Sequence, residues 1–294
     1  MQFQSFTIGA EETNERLDIC LTKKTGLSRN FVQNLIKDGL VRVNKIQIEK
    51  TGFKVSGNDE IAYKILEKDS TVKAENIKLE IIHEDENLLV INKQAGLVVH
   101  PSDSGHTSGT ILNAALNIDK NASLLHRLDK DTSGVLLIAK NQATKNRLSK
   151  MFKDRKVEKT YWALVRGVPS KEKGKIEAPL KRNTSNRMRI SINSTGKMAI
   201  TKFKVLEIYK NASLLEVNIE TGRTHQIRVH MASIGHPVIG DINYGDAKIN
   251  KEYAEKYNLN RQFLHAKEIK IDGQTYSAKL PDDIESVYNI LTRS

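Results

Sequence analysis

The sequence predicts an α+β fold divided into a small N-terminal module and a large domain, and three observations lead to it. The charged segment EKDSTVKAEN, from Glu67 to Asn76, has only two apolar residues and is typical of a linker. Apolar residues before it recur at helical spacing. Most of the chain after it consists of short apolar runs separated by polar turns. We therefore predict a module at residues 14–66, a linker at 67–77 and a large domain at 78–294.

The N-terminal module is predicted to contain two short helices and a strand. Helices are expected from Glu15 to Thr22 and from Ser28 to Asp38, where four apolar residues fall on one face. Gly39 is expected to end the second helix, and LVRVN then alternates as a strand. Three basic residues are expected to lie close together near this helix–strand junction: Lys37, Arg42 and Lys45.

The large domain is predicted to be mostly strands. LEIIHEDENLLVINK contains two apolar runs with a polar turn from Glu84 to Asn87, which predicts a hairpin. Four further runs have the composition of strands: GVLLIAK, TYWALVRG, ITKFKVLEIY and SLLEVNIET. The clearest helix is expected from Ala143 to Lys156, where apolar residues share one side and lysines the other.

The composition indicates a polyanionic partner and no membrane. Lys and Arg total 47 against 35 Asp and Glu, a net charge of +12, although mild basicity is common among soluble proteins. Cys20 is the only cysteine, which excludes an intrachain disulfide and a thiolate metal cage. The longest clean apolar run, Val135 to Ala139, is far shorter than the roughly 20 residues of a membrane helix. The N-terminus lacks the pattern of a signal peptide, so we expect a cytoplasmic protein.

The densest chemical signal is the turn HRLDKDTSG, from His126 to Gly134, which leads into the apolar run VLLIAK. A turn rich in acidic, basic and hydroxyl groups beside a buried strand is a place where a rigid scaffold presents reactive side chains. The alternative is that Asp131 to Ser133 only cap backbone groups. Histidine spacing does not indicate a metal site, because His225 and His230 are five residues apart and HExxH is absent.

Three motifs in order carry a resemblance to a known family. Along the chain they are INKQAGLVVHPSDSG (Ile91 to Gly105), HRLDKDTSGVLLIAK (from His126) and ETGRTHQIRVHMASIGHPVIGDINYG (Glu220 to Gly245). They resemble motifs of pseudouridine synthases of the RluA/RluD type, which modify large-subunit ribosomal RNA. The resemblance implies a mixed, largely antiparallel sheet as the catalytic core. One departure is Gln94, where the family usually has proline, in a loop expected to lie away from the catalytic signature.

The N-terminal segment RLDICLTKKTGLSRNFVQNLIKDGLVRVN resembles the small RNA-binding module named after a small-subunit ribosomal protein. A generic helical cap is the alternative for so short a unit. The resemblance implies that the module binds RNA through its basic residues. Two basic stretches beyond the linker, Lys140 to Arg166 and Lys181 to Lys202, fit an RNA track as well, although charge runs are often only solvated faces.

The family resemblance implies a role for each site residue. Asp129 would be the catalytic carboxylate, and Arg228 would pair with it and keep it ionised. Tyr161 would stack on a flipped base, the alternative being an ordinary strand aromatic. Arg127 would enter the RNA and occupy the vacated position, the alternative being a salt bridge within the turn. Arg223, in the closing motif, is a further expected RNA contact.

Several carboxylates besides Asp129 remain candidates. Asp131 lies two residues from Asp129 but outside the role that the resemblance assigns, and three others fit on composition only: Asp103, Asp119 and Asp241. The triplet Arg16-Leu17-Asp18 repeats the letters RLD without the DTSG turn, and we interpret it as a coincidence.

The implied reaction converts uridine to pseudouridine in structured RNA, with large-subunit ribosomal RNA as the expected substrate and transfer RNA still open. A carbon–nitrogen bond breaks and a carbon–carbon bond forms with no redox change, so no cofactor and no metal are expected. Whether the carboxylate attacks the sugar, attacks the base or removes a proton is open. Two rivals are a noncatalytic RNA-binding or ribosome-assembly factor and an RNA glycosylase that releases uracil. We expect a monomer.

Overall fold

The computed structural model describes residues 3–27, 29–65, 72–101, 108–186 and 189–293. The chain divides into two compact units, an N-terminal unit from Met1 to Thr71 and a C-terminal unit from Val72 to Ser294. Residues 67–71 of the predicted linker lie outside the described residues.

The N-terminal unit is a four-stranded antiparallel sheet with two helices. In chain order the elements are β1 (Gln4–Thr7), a short 3₁₀ turn (Ala10–Glu12), α1 (Leu17–Thr25), α2 (Arg29–Lys37), β2 (Val41–Val43), β3 (Ile46–Gln47) and β4 (Glu60–Tyr63). The strand order is β1-β4-β2-β3. The two predicted helices and the strand are present, and Gly39 follows α2 with a φ of 70°. Ser28, the predicted first residue of the second helix, lies outside the described residues.

The triplet Arg16-Leu17-Asp18 has a structural role in the N-terminal unit. Asp18 is fully buried and accepts hydrogen bonds from Arg16, Arg29 and Gln33 at 2.7–3.2 Å. Burial opposes the ionised form, but these donors outweigh it and hold the pKa of Asp18 below its usual value. The carboxylate therefore joins α1 to α2, consistent with the interpretation that the repeated letters are a coincidence.

The C-terminal unit is built on one large mixed sheet. Its strands are β5 (Glu80–Glu84), β6 (Leu88–Lys93), β7 (Ser123–Leu124), β8 (Ser133–Ala139), β9 (Glu158–Arg166), β10 (Lys173–Arg182), β11 (Ile190–Ile192), β12 (Lys197–Ile208), β13 (Ala212–Ile219), β14 (Leu264–Ile271) and β15 (Gln274–Ser277). Its helices are α3 (Ile111–Ile118), α4 (Gln142–Lys153), α5 (Gln226–Ser233), α6 (Ala247–Tyr257) and α7 (Asp282–Thr292). The main path runs β11-β10-β12-β13-β9-β14-β8-β6-β5, with β15 on β14 and β7 on β8.

The pairing confirms the predicted α+β class with a mixed, largely antiparallel sheet. Among the described strand pairs, β8 and β14 run parallel and the others antiparallel. Gly134 explains the close approach of these two strands: its φ is 115°, and a Cβ there would collide with the carbonyl group of Ala266. The predicted hairpin and the four predicted strands are also present, the hairpin as β5 and β6.

Both faces of the central strands are covered. Every residue of β6 and β8 is buried, because alternate side chains enter two different apolar clusters. Leu136 and Ile138 pack with Ile227 and Met231 of α5, whereas Val135 and Leu137 pack with Leu148 of α4. The strand that follows the loop with Asp129 is therefore packed on both faces. Among the described helices, none is long and apolar enough to cross a membrane.

The described part of the predicted linker is bound rather than free. The side chain of Asn113 in α3 donates to the Lys73 carbonyl oxygen at 2.7 Å, and the Glu75 amide donates to the Asn113 carbonyl oxygen at 3.0 Å. The Glu75 carboxylate accepts from the amide of Gly109 at 2.9 Å. Residues 73–75 therefore belong structurally to the C-terminal unit.

Candidate active site

Asp129 and Arg228 meet although they lie 99 residues apart in the chain. Asp129 is in the loop before β8, and Arg228 is in the first turn of α5. Nη1 of Arg228 donates to Oδ2 of Asp129 at 3.1 Å, the contact that the sequence predicted. The arginine side chain is 4% exposed and the aspartate side chain 18% exposed, so the carboxylate keeps an open side.

Asp241 holds the other edge of the Arg228 guanidinium. Its two carboxylate oxygens accept from Nε at 2.7 Å and from Nη2 at 2.9 Å, in the two-pronged geometry that arginine favours. Asp241 is fully buried and also accepts from the amides of Asn243 and Tyr244. Burial opposes the charge on Arg228, but the bonds and charge of Asp241, and then Asp129, raise its pKa. The arginine is a fixed cation.

Sequence reasoning counted Asp241 only as a candidate reactive carboxylate and missed this supporting position. The signal that could have found it was its place in GDINYG, the end of the closing motif that also contains Arg228. Asp119, a second carboxylate that fits on composition only, caps the end of α3 and accepts from the amide of Asn121. Asp103, the third, lies outside the described residues.

The loop before α5 is held by the side chain of one glutamine. Gln226 is 3% exposed; its Oε1 accepts from the Thr221 hydroxyl and the Arg223 amide, and its Nε2 donates to the Ile200 carbonyl oxygen. His225 precedes the helix in the left-handed region, with a φ of 53°. This bracing sets the direction in which α5 begins, and therefore where Arg228 lies.

A cavity of about 500 Å³ has this ion pair in its lining. The lining comes from the loop before β8, the end of α4, the start of β9 and the segment from Ile219 into α5. The cavity brings together five residues that the sequence singled out: Asp129, Arg228, Tyr161, Arg127 and Arg223. Its volume is in the range of small-molecule binding sites.

Tyr161 lies in the cavity wall and is 6% exposed. Burial, and then the charge of Asp129, raise its pKa, so the phenol is neutral. Ile227, which is 4% exposed, lines the same cavity and belongs to the same apolar cluster. Trp162 packs on the opposite side of β9, with its ring 5.6 Å from that of Tyr288.

Arg127 and Arg223 lie on the exposed rim of the cavity. Within the described parts of the chain, Arg127 makes no ion pair, so the alternative of a salt bridge in the turn is not supported. Arg223 donates weakly from Nε to the Met198 carbonyl oxygen at 3.4 Å.

The three basic residues predicted in the module are exposed in the N-terminal unit. Lys37 ends α2, Arg42 is in β2 and Lys45 lies in the turn between β2 and β3. The guanidinium of Arg42 is 4.5 Å from the ring centroid of Phe3.

Lys93 anchors the loop that contains Asp129. It is fully buried, and its Nζ donates to the carbonyl oxygens of Gln94, Lys130 and Thr132 at 2.8–2.9 Å. Burial lowers its pKa to about 7. Three acceptors nevertheless require three N–H donors, which only the ammonium form supplies. The expectation that Gln94 lies in a loop away from the catalytic signature is therefore wrong: its backbone shares one ammonium group with that loop.

Lys93→Met is expected to lower the free energy of unfolding by at least about 1–3 kcal/mol, the cost of one buried carbonyl group left without a donor. The Lys130 carbonyl oxygen keeps the Gly96 amide as a donor at 2.9 Å, so the loss falls on the carbonyl groups of Gln94 and Thr132. Amide hydrogen exchange of residues 130–132 should also become faster. Urea denaturation and hydrogen exchange check both effects. Lys130→Met, at an exposed neighbouring position, is the matched control and should change stability by less than about 0.5 kcal/mol. Equal effects of the two substitutions would contradict the anchoring role.

Two further side chains hold the same loop from the C-terminal side. Arg261 donates to the Asp131 carbonyl oxygen at 3.0 Å and pairs in two-pronged fashion with Asp283 of α7 at 2.6 and 2.8 Å. The Ser133 hydroxyl lies 3.0 Å from Nδ1 of His265. Asp131, through its carbonyl oxygen, and Ser133, through its hydroxyl, are thus parts of the loop support. Among the described residues neither side chain bonds a backbone group, so the capping that the sequence left open as an alternative is not supported for these two residues.

His126 is a neutral acceptor in the loop. Its Nε2 accepts from the Leu137 amide at 3.0 Å, and its ring stacks on Phe152 with a centroid distance of 5.1 Å. Burial, assisted by the charge of Lys159, lowers the pKa of His126 to about 3. The imidazole therefore orders the loop as a neutral hydrogen-bond acceptor.

Acidification is expected to destabilise the fold through four histidines with lowered pKa. Burial lowers the pKa of His126 to about 3 and of His265 to about 4, and lowers those of His225 and His230. The unfolded chain binds these protons below about pH 6.5 and the folded chain does not, so stability is lost as pH falls. His126 and His265 each contribute a slope of about 1.4 kcal/mol per pH unit in urea denaturation between about pH 6.5 and 4, and His225 and His230 act in the same direction.

His126→Gln provides the test of that assignment. The glutamine amide oxygen can accept the Leu137 amide but does not titrate, so the slope should decrease by about one proton. A slope that is the same as in the parent protein would contradict the burial of a neutral His126.

One group of described residues has the proximity of metal ligands: Glu12, Glu15 and Cys20, in the N-terminal unit. Glu12 and Glu15 are paired with Lys24 and Lys23 at 3.0 and 2.6 Å, and burial raises the pKa of the Cys20 thiol to about 11. The carboxylates are therefore neutralised by lysines, and the thiol is protonated.

A large mixed sheet thus carries a cavity in which an aspartate is paired with a buried arginine and two further arginines lie on the exposed rim. The sequence model described as RNA pseudouridylate synthase matches residues 87–233, and the S4 domain model matches residues 15–61. The chain belongs to the RNA pseudouridine synthase family and carries an S4 domain, which sets aside the generic helical cap.

Similar proteins and structures agree over most of the chain. An uncharacterized RNA pseudouridine synthase of Aquifex aeolicus is 44% identical over 97% of this chain and 96% of its own. The ribosomal large subunit pseudouridine synthase D of Buchnera aphidicola is 37% identical over 98% of each chain. Human RNA pseudouridylate synthase domain containing 4 has a TM-score of 0.60 at 26% identity, over 72% of this chain and 93% of its own.

Proposed function

We propose that the protein converts specific uridines of large-subunit ribosomal RNA to pseudouridine, with Asp129 as the reactive carboxylate. The observation that carries the proposal is the Asp129–Arg228 pair at 3.1 Å in the lining of a cavity of about 500 Å³. The substrate follows from similarity to enzymes named for the large ribosomal subunit. We further propose a cytoplasmic monomer.

The chemistry requires one carboxylate that stays ionised in a partly buried site. Arg228 supplies a cation on one side of Asp129, and Asp241 prevents that cation from turning away. The exposed side of Asp129 is then free to act on the sugar or the base. Nothing is oxidised and no group is transferred from outside, because the uracil that leaves C1′ returns to it through C5.

The target nucleotide has to leave its stack to reach Asp129. A cavity of about 500 Å³ has room for one nucleoside, and the wall at Tyr161 and Ile227 offers an apolar surface for the extruded base. Arg127, exposed on the rim, fills the vacated position in the RNA, since its guanidinium can stack on bases and contact phosphate.

The test is release of tritium from C5 of uracil, because C5 loses its hydrogen when it bonds to C1′. The substrate is large-subunit ribosomal RNA, labelled with tritium at C5 and purified from cells that lack this gene. We expect release to the solvent and new pseudouridines at discrete positions. Release of free uracil would instead indicate a glycosylase. No release from any cellular RNA would favour a noncatalytic RNA-binding factor.

Removing residues 1–71 is expected to leave a folded C-terminal unit, because the apolar core of the N-terminal unit is formed from its own residues. Affinity for structured RNA should fall and depend less steeply on salt, because phosphate contacts of the basic S4 residues are lost. The single-turnover rate at saturating RNA should change little, since the cavity residues remain. Affinity over a salt series and single-turnover rates check the two parts separately. An unchanged salt slope would contradict RNA binding by the module.

A further inference from the structure

Lys159 is a buried cation in the active-site cavity that the pairing of Asp129 and Arg228 does not use. It lines the cavity, is 8% exposed and lies in β9 two residues before Tyr161. Side chains two residues apart in a strand lie on the same face, about 7 Å from each other. Lys159 and Tyr161 therefore face the same cavity from neighbouring positions.

The ammonium group of Lys159 has no anionic partner within the described chain. It makes no hydrogen bond or ion pair there, and its Nζ is 5.9 Å from the ring centroid of Phe152. Every fully buried side-chain nitrogen or oxygen among the described residues has a hydrogen-bond partner. Because Nζ of Lys159 has none, it is not fully buried and reaches the surface of the cavity. Burial lowers the pKa of Lys159 to about 8, which leaves it mostly protonated at neutral pH. Keeping a charge in such a place is costly unless an anion arrives.

The surroundings of Lys159 favour an anion over a neutral group. Lys153 and Arg155, at the end of α4, line the same cavity and are exposed, and neither pairs with a described carboxylate. The carboxylates in the lining have other partners: Glu220 pairs with Lys202 at 2.8 Å, and Asp129 with Arg228. This side of the cavity therefore has excess positive charge.

We propose that Lys159 binds a phosphate oxygen of the extruded nucleotide, with Lys153 and Arg155 extending this phosphate subsite to the rim. The inference rests on the proposed function, because an RNA substrate that enters the cavity brings its phosphodiester with it. The uracil base is neutral and cannot compensate a buried ammonium group in the same way. Lys159 is thus a substrate-binding residue that positions the nucleotide by its phosphate, while Tyr161 contacts the base and Asp129 faces the glycosidic bond.

The experiment measures affinity for large-subunit ribosomal RNA, purified from cells that lack this gene, over a salt series. Lys159→Met and Lys159→Gln are expected to weaken binding about 10- to 100-fold, as for loss of a charge-assisted hydrogen bond. The slope of log affinity against log salt should decrease by about 0.7–0.9, the value of one phosphate contact. Lys159→Arg should stay near the parent protein. Lys251→Met, at an exposed lysine of α6 that does not line the active-site cavity, is the control.

The outcomes separate this proposal from the proposed function. Weaker binding with an unchanged salt slope would assign Lys159 to a neutral group such as a uracil carbonyl and overturn the phosphate subsite. Unchanged binding would overturn it as well. Tritium release by the parent protein tests the function independently of either result. Thermal unfolding identifies a variant that fails to fold. If either Lys159→Met or Lys159→Gln fails to fold, the other still tests the loss of the charge.

A second arm uses a short RNA in which one linkage beside the mapped uridine is a neutral methylphosphonate. If Lys159 binds that phosphate, the loss of affinity from the methylphosphonate and the loss from Lys159→Met should not add, because each removes the same contact. Additive losses at both flanking linkages would overturn the proposal.

Discussion

Asp129→Asn is expected to abolish pseudouridine formation, with a loss of at least about 10³-fold in the single-turnover rate, because the amide is neither a nucleophile nor a base. The substitution is nearly isosteric, and Asp129 is bonded by its side chain to Arg228 alone among the described residues. The variant should therefore fold and bind RNA like the parent protein. Tritium release and RNA affinity measure the two properties.

Asp131→Asn is the matched control for that experiment. Asp131 is held by its backbone carbonyl oxygen, which accepts a hydrogen bond from Arg261 at 3.0 Å. The substitution changes only the side chain and leaves this bond in place. Much of the activity should remain. If Asp129→Asn reacts at a rate close to that of the parent protein, the assignment of the reactive carboxylate is wrong.

Arg228→Ala is expected to cost both activity and stability. The substitution leaves Asp241 fully buried without its cation, and breaking a buried pair costs about 3–5 kcal/mol. Asp129 loses its partner at the same time, so the rate should fall severely even under conditions in which the variant is folded. Urea denaturation measures the first effect, and single-turnover kinetics in stabilising buffer measures the second.

The double variant Arg228→Ala with Asp241→Ala separates these contributions. Removing Asp241 as well eliminates the unpaired buried charge, so part of the lost stability should return while activity stays low. Arg223→Ala, at the exposed rim, is the control and should leave stability within about 0.5 kcal/mol. A double variant that is less stable than Arg228→Ala by the full additive amount would contradict the pairing.

Elements with a strong local pattern could be predicted from sequence. The hairpin of β5 and β6 was predicted because two apolar runs flank a short polar turn, and α4 because its apolar residues share one face. The motif that contains Asp129 and the closing motif that contains Arg228 together predicted the ion pair that lines the cavity. These signals lie within about 10–25 consecutive residues, which is the range over which sequence patterns are informative.

Other elements depend on distant residues and could not be predicted in this way. Helix α5 is buried on most sides, with six of its eight residues inaccessible, so it has no polar face to reveal a helical period. The support of Asp129 comes from Lys93, Asp241 and Arg261, which are 36 to 132 residues away in the sequence. A lysine that donates to three carbonyl groups leaves no trace in the pattern of apolar residues.

The position of β14 between β9 and β8 has a consequence for biosynthesis. The strands synthesised earlier form two separate ribbons, β5-β6-β8 and β9-β13-β12-β10-β11, and β14 is the strand that joins them. Asp129 precedes β8 in the first ribbon, whereas Tyr161 belongs to the second and Arg228 to the helix that follows it. At about 5–20 residues per second, the ribosome needs roughly 7–30 seconds to travel from Ser133 to Ile271. The nascent enzyme is therefore expected to stay catalytically inactive until β14 has been translated.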